Sequence, residues 1–368
     1  MELLLVIPGA VIWFSILLAP WRPWSTREYL DAAGTSADED FSDITVVIPT
    51  RNEAAYIERT LHGLYAQGKN LSVILVDDRS DDGTSVAAAA ASVGNLTIIH
   101  GRELPKGWSG KLWALEQGLE NVNTRFTLLM DADIELKPGI LALLRNTMRE
   151  KEVQLISLMA HLRMESFWER MMMPAFVYFF KLLYPFRLSN SAFPHVAAAA
   201  GGCILVETAV LRRAGGFEAI KDRLIDDCAL AGRVKAMGYR TWTGLTRSAV
   251  SLRAYDRLET IWEMVARTAF TQLRHSPALL MAVTVVMVFM FLGPAAGLFF
   301  KGWTLRGVSV AALTAMTITY VPTLVFYGRA RTWAAVFPVA GMLFLLMTWS
   351  SALRHCAGRG AVWKGRRY

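Results

Sequence analysis

The chain has 368 residues, of which 54% are hydrophobic, and it carries a net charge of +8. The apolar fraction excludes two ordinary soluble domains, because the excess is too large for water-soluble cores. The charge does not predict nucleic-acid binding, since the basic residues are scattered and no aromatic-basic ladder accompanies them. Attraction to anionic lipid explains the charge better. The three cysteines lack a CxxC spacing, which argues against a zinc site or a disulfide framework.

The first predicted element is a membrane anchor over residues 1–21. The uncharged stretch 3–20 is close to the ~20 residues that a spanning helix needs. The alternative is a cleavable signal peptide, but Glu2 replaces the basic start and no small-X-small site precedes Trp21. We therefore favour the anchor.

A polar linker is predicted over residues 22–42, after the anchor. Arg22 and Arg27 follow the first span, so the positive-inside rule places the next domain in the cytoplasm.

Residues 43–275 are predicted to form one α/β domain. Buried strands alternate with amphipathic helices in its first half, which indicates a mostly parallel sheet with right-handed crossovers. The predicted strands are 44–48, 73–76, 96–99 and 126–130, and the predicted helices end at Tyr65 or lie near 84–92 and 111–121.

Carboxylates follow the buried strands of this domain. Asp77 and Asp78 come after one strand, and the triplet Asp131-Ala132-Asp133 comes after another. The carboxyl edge of such a sheet is where α/β proteins bind ligands. A third acidic pair, Asp226-Asp227, lies farther along the chain. The three clusters suit a metal-bound nucleotide-sugar and a general base.

Four motifs in this order carry a family resemblance. They are Thr45–Glu53, Val76–Thr84, Asp131-Ala132-Asp133 and the block Asp226–Arg233 that ends at Gly238-Tyr239-Arg240. The chain resembles the processive and lipid-modifying inverting glycosyltransferases of family 2. It is most similar to the hopanoid-associated members and next to ceramide glucosyltransferases. The resemblance implies a GT-A-like domain with N- and C-terminal transmembrane helices.

The resemblance also implies a set of donor contacts. The loops after the first two strands would bind the nucleobase and ribose, and a carboxylate that accepts from uracil N3–H favours a pyrimidine. An Asp-rich turn without a function is the alternative for the second loop. The residues concerned are Pro49, Thr50, Asn52, Glu53, Asp77 and Asp78.

Asp131 and Asp133 are the predicted metal ligands, and Asp131 is counted with the donor site as well. In an extended segment, both side chains would leave the strand on one face. Hard carboxylate oxygens suit Mg²⁺ or Mn²⁺ bridging a diphosphate. The alternative is a solvated strand end.

Lys111 follows Gly110 in a stretch that superficially resembles a P-loop. The template fails, because no Gly lies five residues before Gly110 and Leu112 replaces the required Ser or Thr. The family instead has a Gly-Lys before its third helix, which would bring Lys111 to the donor pyrophosphate. A surface lysine is the competing interpretation.

Asp226-Asp227 takes the place of the family's Glu-Asp pair. The second acid of that pair is the general base, so the resemblance assigns Asp227 to deprotonate the acceptor hydroxyl. Asp226 and the small-residue segment Gly201, Gly202 and Cys203 are placed on the acceptor side.

The family's last motif, Gln/Arg-X-X-Arg-Trp, is degenerate here. Residues 264–268 keep Arg267 but have neither the leading Gln nor the Trp. Gln272, in the segment that follows directly, is a possible substitute. Both residues are assigned to the acceptor side.

Residues 167–186 are rich in aromatics and methionine but too interrupted by charge and proline to span a membrane. We predict a helix lying in the membrane interface. A buried core helix is the alternative.

Residues 276–353 are predicted as C-terminal membrane segments, built from three uncharged stretches at 277–300, 308–327 and 333–353. Three crossings would leave the basic tail, residues 354–368, on the wrong side for the positive-inside rule. Either one segment is re-entrant or the tail is an exception.

The sequence therefore predicts a multi-pass protein of the inner membrane with a cytoplasmic catalytic domain. The family resemblance implies that it transfers a sugar, expected to be UDP-linked, to a hydroxyl of a hopanoid or related lipid, with Mg²⁺ or Mn²⁺ as cofactor. Its partners would be the nucleotide-sugar, the lipid acceptor and the membrane, with no nucleic acid. Two alternatives remain, a polysaccharide synthase of the same family and a non-catalytic lipid-binding scaffold.

Overall fold

The computed structural model describes residues 2–34, 38–91, 94–358, 362–363 and 366–367. The strands are β1 Ile44–Thr50, β2 Ser72–Asp77, β3 Asn95–His100, β4 Phe126–Met130, β5 Ile134–Leu136, β6 Leu155–His161, β7 Cys203–Glu207, β8 Thr241–Ser251, β9 Val362–Trp363 and β10 Arg366–Arg367. The first eight form one sheet in the order β3-β2-β1-β4-β7-β6-β8-β5. The last two pair only with each other.

The helices lie between and after these strands. They are α1 Glu2–Leu18, α2 Ile57–Tyr65, α3 Thr84–Ala91, α4 Gly110–Glu120, α5 Ile140–Lys151, α6 Phe167–Leu183, α7 Phe186–Ser189, α8 Thr208–Arg213, α9 Asp226–Ala236, α10 Leu258–Ala266, α11 Ala269–Gln272, α12 Pro277–Met287, α13 Gly293–Gly297, α14 Trp303–Phe326 and α15 Phe337–Cys356. A π-helical turn, Val288–Leu292, joins α12 to α13, and 3₁₀ turns occupy Glu218–Ile220 and Arg331–Val336.

The parallel half of the sheet is confirmed. The run β3-β2-β1-β4 is parallel throughout, and each predicted strand and helix there lies within one or two residues of its expected bounds. Ser92, at the end of one predicted helix, lies outside the described residues. Beyond β4 the sheet is mixed, because β7 pairs antiparallel with both β4 and β6, and β5 pairs antiparallel with β8.

The sheet is covered on both faces. Val46 and Ile48 of β1 belong to the apolar cluster beneath α2 and α5, whereas Val47 belongs to the cluster beneath α4 and α9. This alternation follows from the two-residue repeat of a strand. All seven residues of β1 are buried. Accessible polar side chains therefore begin only after the strand ends.

A third apolar cluster joins the domain to the C-terminal helices, and it contains Trp13 of α1, Tyr178 of α6 and Phe337 of α15. Within the described part of the chain, three helical segments are able to cross a membrane by length and composition: Pro277–Gly297, Trp303–Phe326 and Arg331–Cys356. The predicted anchor, α1, is a shorter helix of 17 residues. The Trp13 indole donates to the Met290 carbonyl at 2.7 Å, in the π-helical turn.

The predicted linker forms no helix in its described part, but it is fastened to the domain. The Leu30 amide donates to the Leu245 carbonyl at 3.0 Å, and Phe41 is fully buried. Residues 35–37 of this segment lie outside the described residues.

Helix α6 is more enclosed than a helix resting on a surface. Nine of its 17 residues are buried, among them Lys181. The Lys181 ammonium donates to the carbonyls of Trp24 and Ser25 and to Thr323 Oγ1, at 3.3, 3.2 and 2.9 Å. Burial lowers the pKa of Lys181 to about 7. Its interfacial position remains a prediction.

Candidate active site

The loops after β1 and β2 are bonded to each other. Thr50 Oγ1 donates to the Val76 carbonyl at 3.1 Å, and the Asp78 amide donates to the Thr50 carbonyl at 2.8 Å. Asn52 has a φ of 53°, and its amide donates to Ser80 Oγ at 3.0 Å. The predicted nucleoside-binding residues therefore form one preorganised edge.

Asp77 is engaged within its own loop. One carboxylate oxygen accepts from the Ser80 amide at 2.9 Å and from the Ser80 hydroxyl at 2.5 Å, and the other accepts from the Ser85 hydroxyl. Asp78 is 2% exposed. The Asp-rich turn thus places the pair beside Thr50, and the contact of the pair with a nucleoside remains a prediction.

Lys111 lies inside the cleft and not on the surface. It is in the first turn of α4, where Ser109 Oγ accepts from the Leu112 amide at 3.3 Å as an N-cap. Its ammonium is 2.9 Å from Asp131 Oδ1 and 3.5 Å from Asp226 Oδ2. Although burial opposes it, these two carboxylates raise the pKa of Lys111 above its usual range.

The metal triplet has a different geometry from the predicted one. β4 ends at Met130, and Asp131 to Asp133 form a turn before β5, so the expectation of an extended segment is wrong. The two carboxylates meet different cations, Lys111 for Asp131 and Arg253 for Asp133. The turn occurs because the chain leaves the parallel part of the sheet here to pair with β8.

Arg253 is a site residue that sequence reasoning missed. Its Nε lies 2.8 Å from Asp133 Oδ2, and its Nη2 lies 2.6 Å from Glu53 Oε1. The guanidinium also stacks 5.2 Å from the Tyr56 ring centroid. Against the effect of burial, Asp133 and Glu53 raise its pKa above the usual range. Like the predicted acids, Arg253 directly follows a strand, but β8 was not predicted.

Asp227 occupies the first turn of α9. Its Oδ2 accepts from the Gly201 amide at 2.9 Å, and its Oδ1 accepts from the Cys228 amide at 2.7 Å. Burial and the neighbouring Asp226 raise the pKa of Asp227 to about 7, and Lys111 offsets them only in part. A carboxylate with that proton affinity suits general-base catalysis at neutral pH.

Gly201 leaves room for two side chains of the site. A Cβ at this position would lie 3.0 Å from Lys111 Nζ and 3.6 Å from Asp227 Oδ2. The residue therefore lets the donor-side lysine and the predicted base approach the same point.

Two openings meet at α9. The narrow one unites six of the predicted residues, namely Pro49, Lys111, Asp131, Gly201, Asp226 and Asp227. The wide one is a groove of about 1030 Å³ between α6, α9 and α11, with Tyr184, Cys228 and Gln272 in its wall. Gln272 Nε2 donates to the Tyr184 hydroxyl at 2.8 Å, which fixes Gln272 beside the groove.

Three predicted acceptor residues do not line either opening in the described structure. Cys203 is fully buried at the start of β7, and Gly202 packs against Ile134. Arg267 is exposed at the end of α10. His195 lies in the wall of the wide groove.

The residues present fit a divalent ion only together with further ligands. Among the described residues, no group of three or more His, Cys, Asp or Glu side chains is arranged to hold a metal. Asp131 and Asp133 each use one oxygen for an ion pair with a cation, which leaves a second hard oxygen on each. Two such oxygens suit Mg²⁺ or Mn²⁺ when a diphosphate completes the coordination.

Comparison with known proteins agrees with this geometry. Residues 45–215 match the family model Glycosyl transferase family 2. The chain is 23% identical over 343 residues to the 4,4'-diaponeurosporenoate glycosyltransferase of Staphylococcus aureus (strain MRSA252), covering 88% of each chain. It is 30% identical over 122 residues to the enzyme of the same name from Staphylococcus haemolyticus (strain JCSC1435), covering 33% of this chain and 32% of the relative.

A solved structure shares the fold. The mannosyltransferase PcManGT from Pyrobaculum calidifontis, in complex with GDP-Man and Mn²⁺, superposes with a TM-score of 0.59 at 20% identity, covering 98% of this chain and 100% of its own. The matched segment 45–215 holds Asp77, Lys111 and Asp131. This part of the chain is therefore similar to the family 2 glycosyltransferases.

Proposed function

We propose that the protein is a membrane-bound inverting glycosyltransferase that moves a sugar from a nucleotide-sugar to a lipid hydroxyl. The supporting observation is the position of the Lys111 ammonium, between Asp131 on the donor side and Asp226 beside the predicted base. The Lys111 ammonium thus lies where the leaving group and the acceptor would meet.

The donor would lie along the loops after β1, β2 and β4. Thr50, Asn52 and the Asp77-Asp78 pair would receive the nucleoside, with a UDP-linked sugar as the expected donor. Lys111, at a helix N-terminus, would face the diphosphate, where its charge and the helix amides favour an anion. Asp131 and Asp133 would hold Mg²⁺ or Mn²⁺, which supplies charge neutralisation to the departing nucleoside diphosphate.

Asp227 would act as the general base. Its carboxylate would take the proton of the acceptor hydroxyl as the hydroxyl oxygen attacks the anomeric carbon and the bond to the diphosphate breaks. The Gly201 amide holds the carboxylate in place. A single displacement inverts the anomeric centre, so an α-linked donor gives a β-linked product.

The wide groove would receive the acceptor. It reaches α9 at Cys228, next to Asp227, and its wall includes Gln272 and His275, which directly precede α12. An amphiphile could thus enter from the membrane level. Relatives named for 4,4'-diaponeurosporenoate favour an extended apolar acceptor, and the motif resemblance favours a hopanoid.

The location follows from the charges that flank α1. Arg22 and Arg27 come directly after this helix, so the catalytic domain would lie in the cytoplasm beneath the inner membrane. This position gives access to a cytosolic nucleotide-sugar.

The test is mass spectrometry of membrane lipids from cells with the wild-type protein, with Asp227→Asn, and without the protein. We expect a glycosylated lipid in the wild type alone. Glu218→Gln, an exposed acid near the site, is the matched control and should keep the product. A polymeric product, or an unchanged lipid profile in all strains, would refute lipid glycosylation.

A further inference from the structure

Helix α15 has the length of a membrane span but an unusual position. It has 20 residues, which corresponds to about 30 Å at 1.5 Å per residue. It follows α14, whose last residue contacts the catalytic domain: the Phe326 ring lies 5.9 Å from that of Tyr29 and stacks under Arg247. A third crossing would therefore have to carry α15 away from the domain.

The beginning of α15 stays near the domain. The Arg329 side chain donates to the Met164 carbonyl at 3.0 Å, just after β6, and the Trp333 ring lies 5.7 Å from Phe167 at the start of α6. Phe337, the first residue of α15, stacks on Tyr320 at 3.9 Å. Tyr320 is about 9 Å from the domain end of α14 and about 26 Å from its other end.

The end of α15 also lies at the domain. Arg354 forms a bidentate ion pair with Glu263 of α10, at 2.6 and 2.7 Å. The His355 ring stacks on His275 at 4.1 Å, with 5° between the planes. Ser351 Oγ accepts from the Phe270 amide of α11 at 3.0 Å. These partners all precede α12, so they lie on the side where the chain first leaves the domain.

Between its ends, α15 runs beside α6. Phe337 packs on Tyr178 with ring centroids 5.2 Å apart, and Phe344 packs on Phe179 at 5.1 Å. In the first turn of α6, Glu169 accepts from the Tyr255 amide at 2.8 Å, four residues after β8 ends, so this pair of helices is bonded to the catalytic domain. Helices α6 and α15 therefore pack together beneath the catalytic domain.

The outer face of α15 is apolar. Val339, Leu346 and Leu353 are spaced seven residues apart, so they share one face of the helix, and they are 55%, 52% and 64% exposed. On its flank, the Trp349 indole donates to Thr284 Oγ1 of α12 at 3.0 Å. This exposed stripe is thus continuous with a helix long and apolar enough to span.

We propose that α15 does not cross the membrane but lies in its domain-facing half, with its apolar stripe against lipid and both ends on the side of the catalytic domain. The segment α12 to α13 leaves that side, α14 returns to it, and α15 remains there. The residues that follow, including the sequence positions Arg359, Lys364, Arg366 and Arg367, would share the domain's side, as the positive-inside rule requires. The proposal depends on membrane geometry and not on the proposed reaction.

The native cysteines provide the test. Cys356, at the end of α15, is exposed, whereas Cys203 and Cys228 are buried. A membrane-impermeant maleimide would be applied to intact cells and to permeabilised cells. The reference variants, made in a Cys356→Ser background, are Ala33→Cys beside the domain and Phe299→Cys in the loop between α13 and α14, where Phe299 is 85% exposed.

We expect Cys356 to share the labelling pattern of Ala33→Cys and to be opposite to Phe299→Cys. If Cys356 is labelled together with Phe299→Cys, α15 crosses the membrane and the proposal is overturned. If all three positions show the same labelling, the chain does not cross the membrane at α12–α13 and return at α14. The proposal then fails as well.

Two lysine substitutions provide a second test, in which the amount of membrane-inserted protein is measured. Leu346→Lys and Val310→Lys alter residues of similar exposure, 52% on α15 and 54% on α14. A lysine near the middle of a spanning helix is costly, whereas one near the interface can extend its ammonium to water. We expect membrane-inserted protein for Leu346→Lys and a marked loss for Val310→Lys. Equal losses, or a loss confined to Leu346→Lys, would contradict the proposal.

Discussion

The donor side and the membrane-facing side of this molecule are held together in different ways. On the donor side, neighbouring loops bond each other over short sequence distances, as where the Asn52 amide meets Ser80, 28 residues away. On the membrane-facing side, Lys181 reaches Trp24 across 157 residues, and Trp13 reaches Met290 across 277. Short motifs can therefore specify the loops after β1 and β2, although Arg253 joins Glu53 from 200 residues away. The membrane-facing side exists only once distant segments have assembled.

Removal of the metal should have the largest effect and should act on the donor side alone. If Asp131 and Asp133 hold the ion, excess EDTA will abolish donor turnover, and added Mg²⁺ or Mn²⁺ will restore it. Asp133→Ala should weaken metal-dependent nucleotide binding, measured by calorimetry. Full turnover in EDTA would remove the ion from the mechanism.

Asp227→Asn should have the next largest effect, because Asp227 stands where the two regions meet. The amide keeps the size of the side chain but cannot accept the proton, so transfer should fall by roughly 10²–10⁴. Nucleotide-sugar affinity should remain normal. Asp226→Asn, the matched neighbour, should be milder. Near-normal transfer by Asp227→Asn would move the base elsewhere or favour the scaffold alternative.

The pH profile should report the same carboxylate. The pKa of Asp227 is raised to about 7, so below that pH the base is protonated and kcat/KM should fall about tenfold per pH unit. Above it, the rate should reach a plateau. Asp226 contributes to the raised pKa, so Asp226→Asn should shift this limb to lower pH. An unshifted limb in that variant would show that another group titrates.

Arg253→Gln should affect the donor side and leave the membrane-facing side unchanged. The change removes the guanidinium that bridges Glu53 and Asp133, which should cost about 2–4 kcal/mol, somewhat less than the loss of one partner of a fully buried pair. We expect a lower thermal unfolding temperature and weaker nucleotide binding, with lipid binding unchanged. Arg253→Lys, which keeps one charge, should lose less. Unchanged nucleotide affinity in both variants would exclude Arg253 from the donor side.

Tyr184→Phe should have the smallest effect and should appear only on the acceptor side. It removes the hydroxyl that binds Gln272, at a cost of about 0.5–1.5 kcal/mol. The KM for the lipid should rise a few-fold, while the KM for the donor stays constant. A change confined to the donor KM would reverse the assignment of the wide groove.

The parallel half of the fold was predictable because its signals are local. Buried strands such as Phe126–Met130 are continuous apolar runs, and the carboxylates directly after them lie at the predicted edge. The turn at Asp131–Asp133 was not predictable in the same way. Its geometry depends on β5 pairing with β8, more than 100 residues away.

The membrane-facing side was predicted only in outline. The sequence shows that residues 333–353 are apolar, but composition is the same for a crossing helix and for one lying beside α6. The contacts of Arg354 with α10 and of His355 with His275 favour the second position. Likewise, Tyr184 and Gln272 are 88 residues apart, and no motif connects them.

The bond between Trp13 and Met290 has a consequence for biosynthesis. At about 5–20 residues per second, the ribosome makes α1 tens of seconds before its partner turn exists. Gly9 has no side chain and so leaves room for the Phe289 carbonyl. It too is synthesised long before Phe289. The catalytic domain must therefore emerge while tethered to a helix whose indole has not yet met the Met290 carbonyl. A nascent chain that stalls before α12 would contain all the donor-side loops but would lack helices α12 to α15.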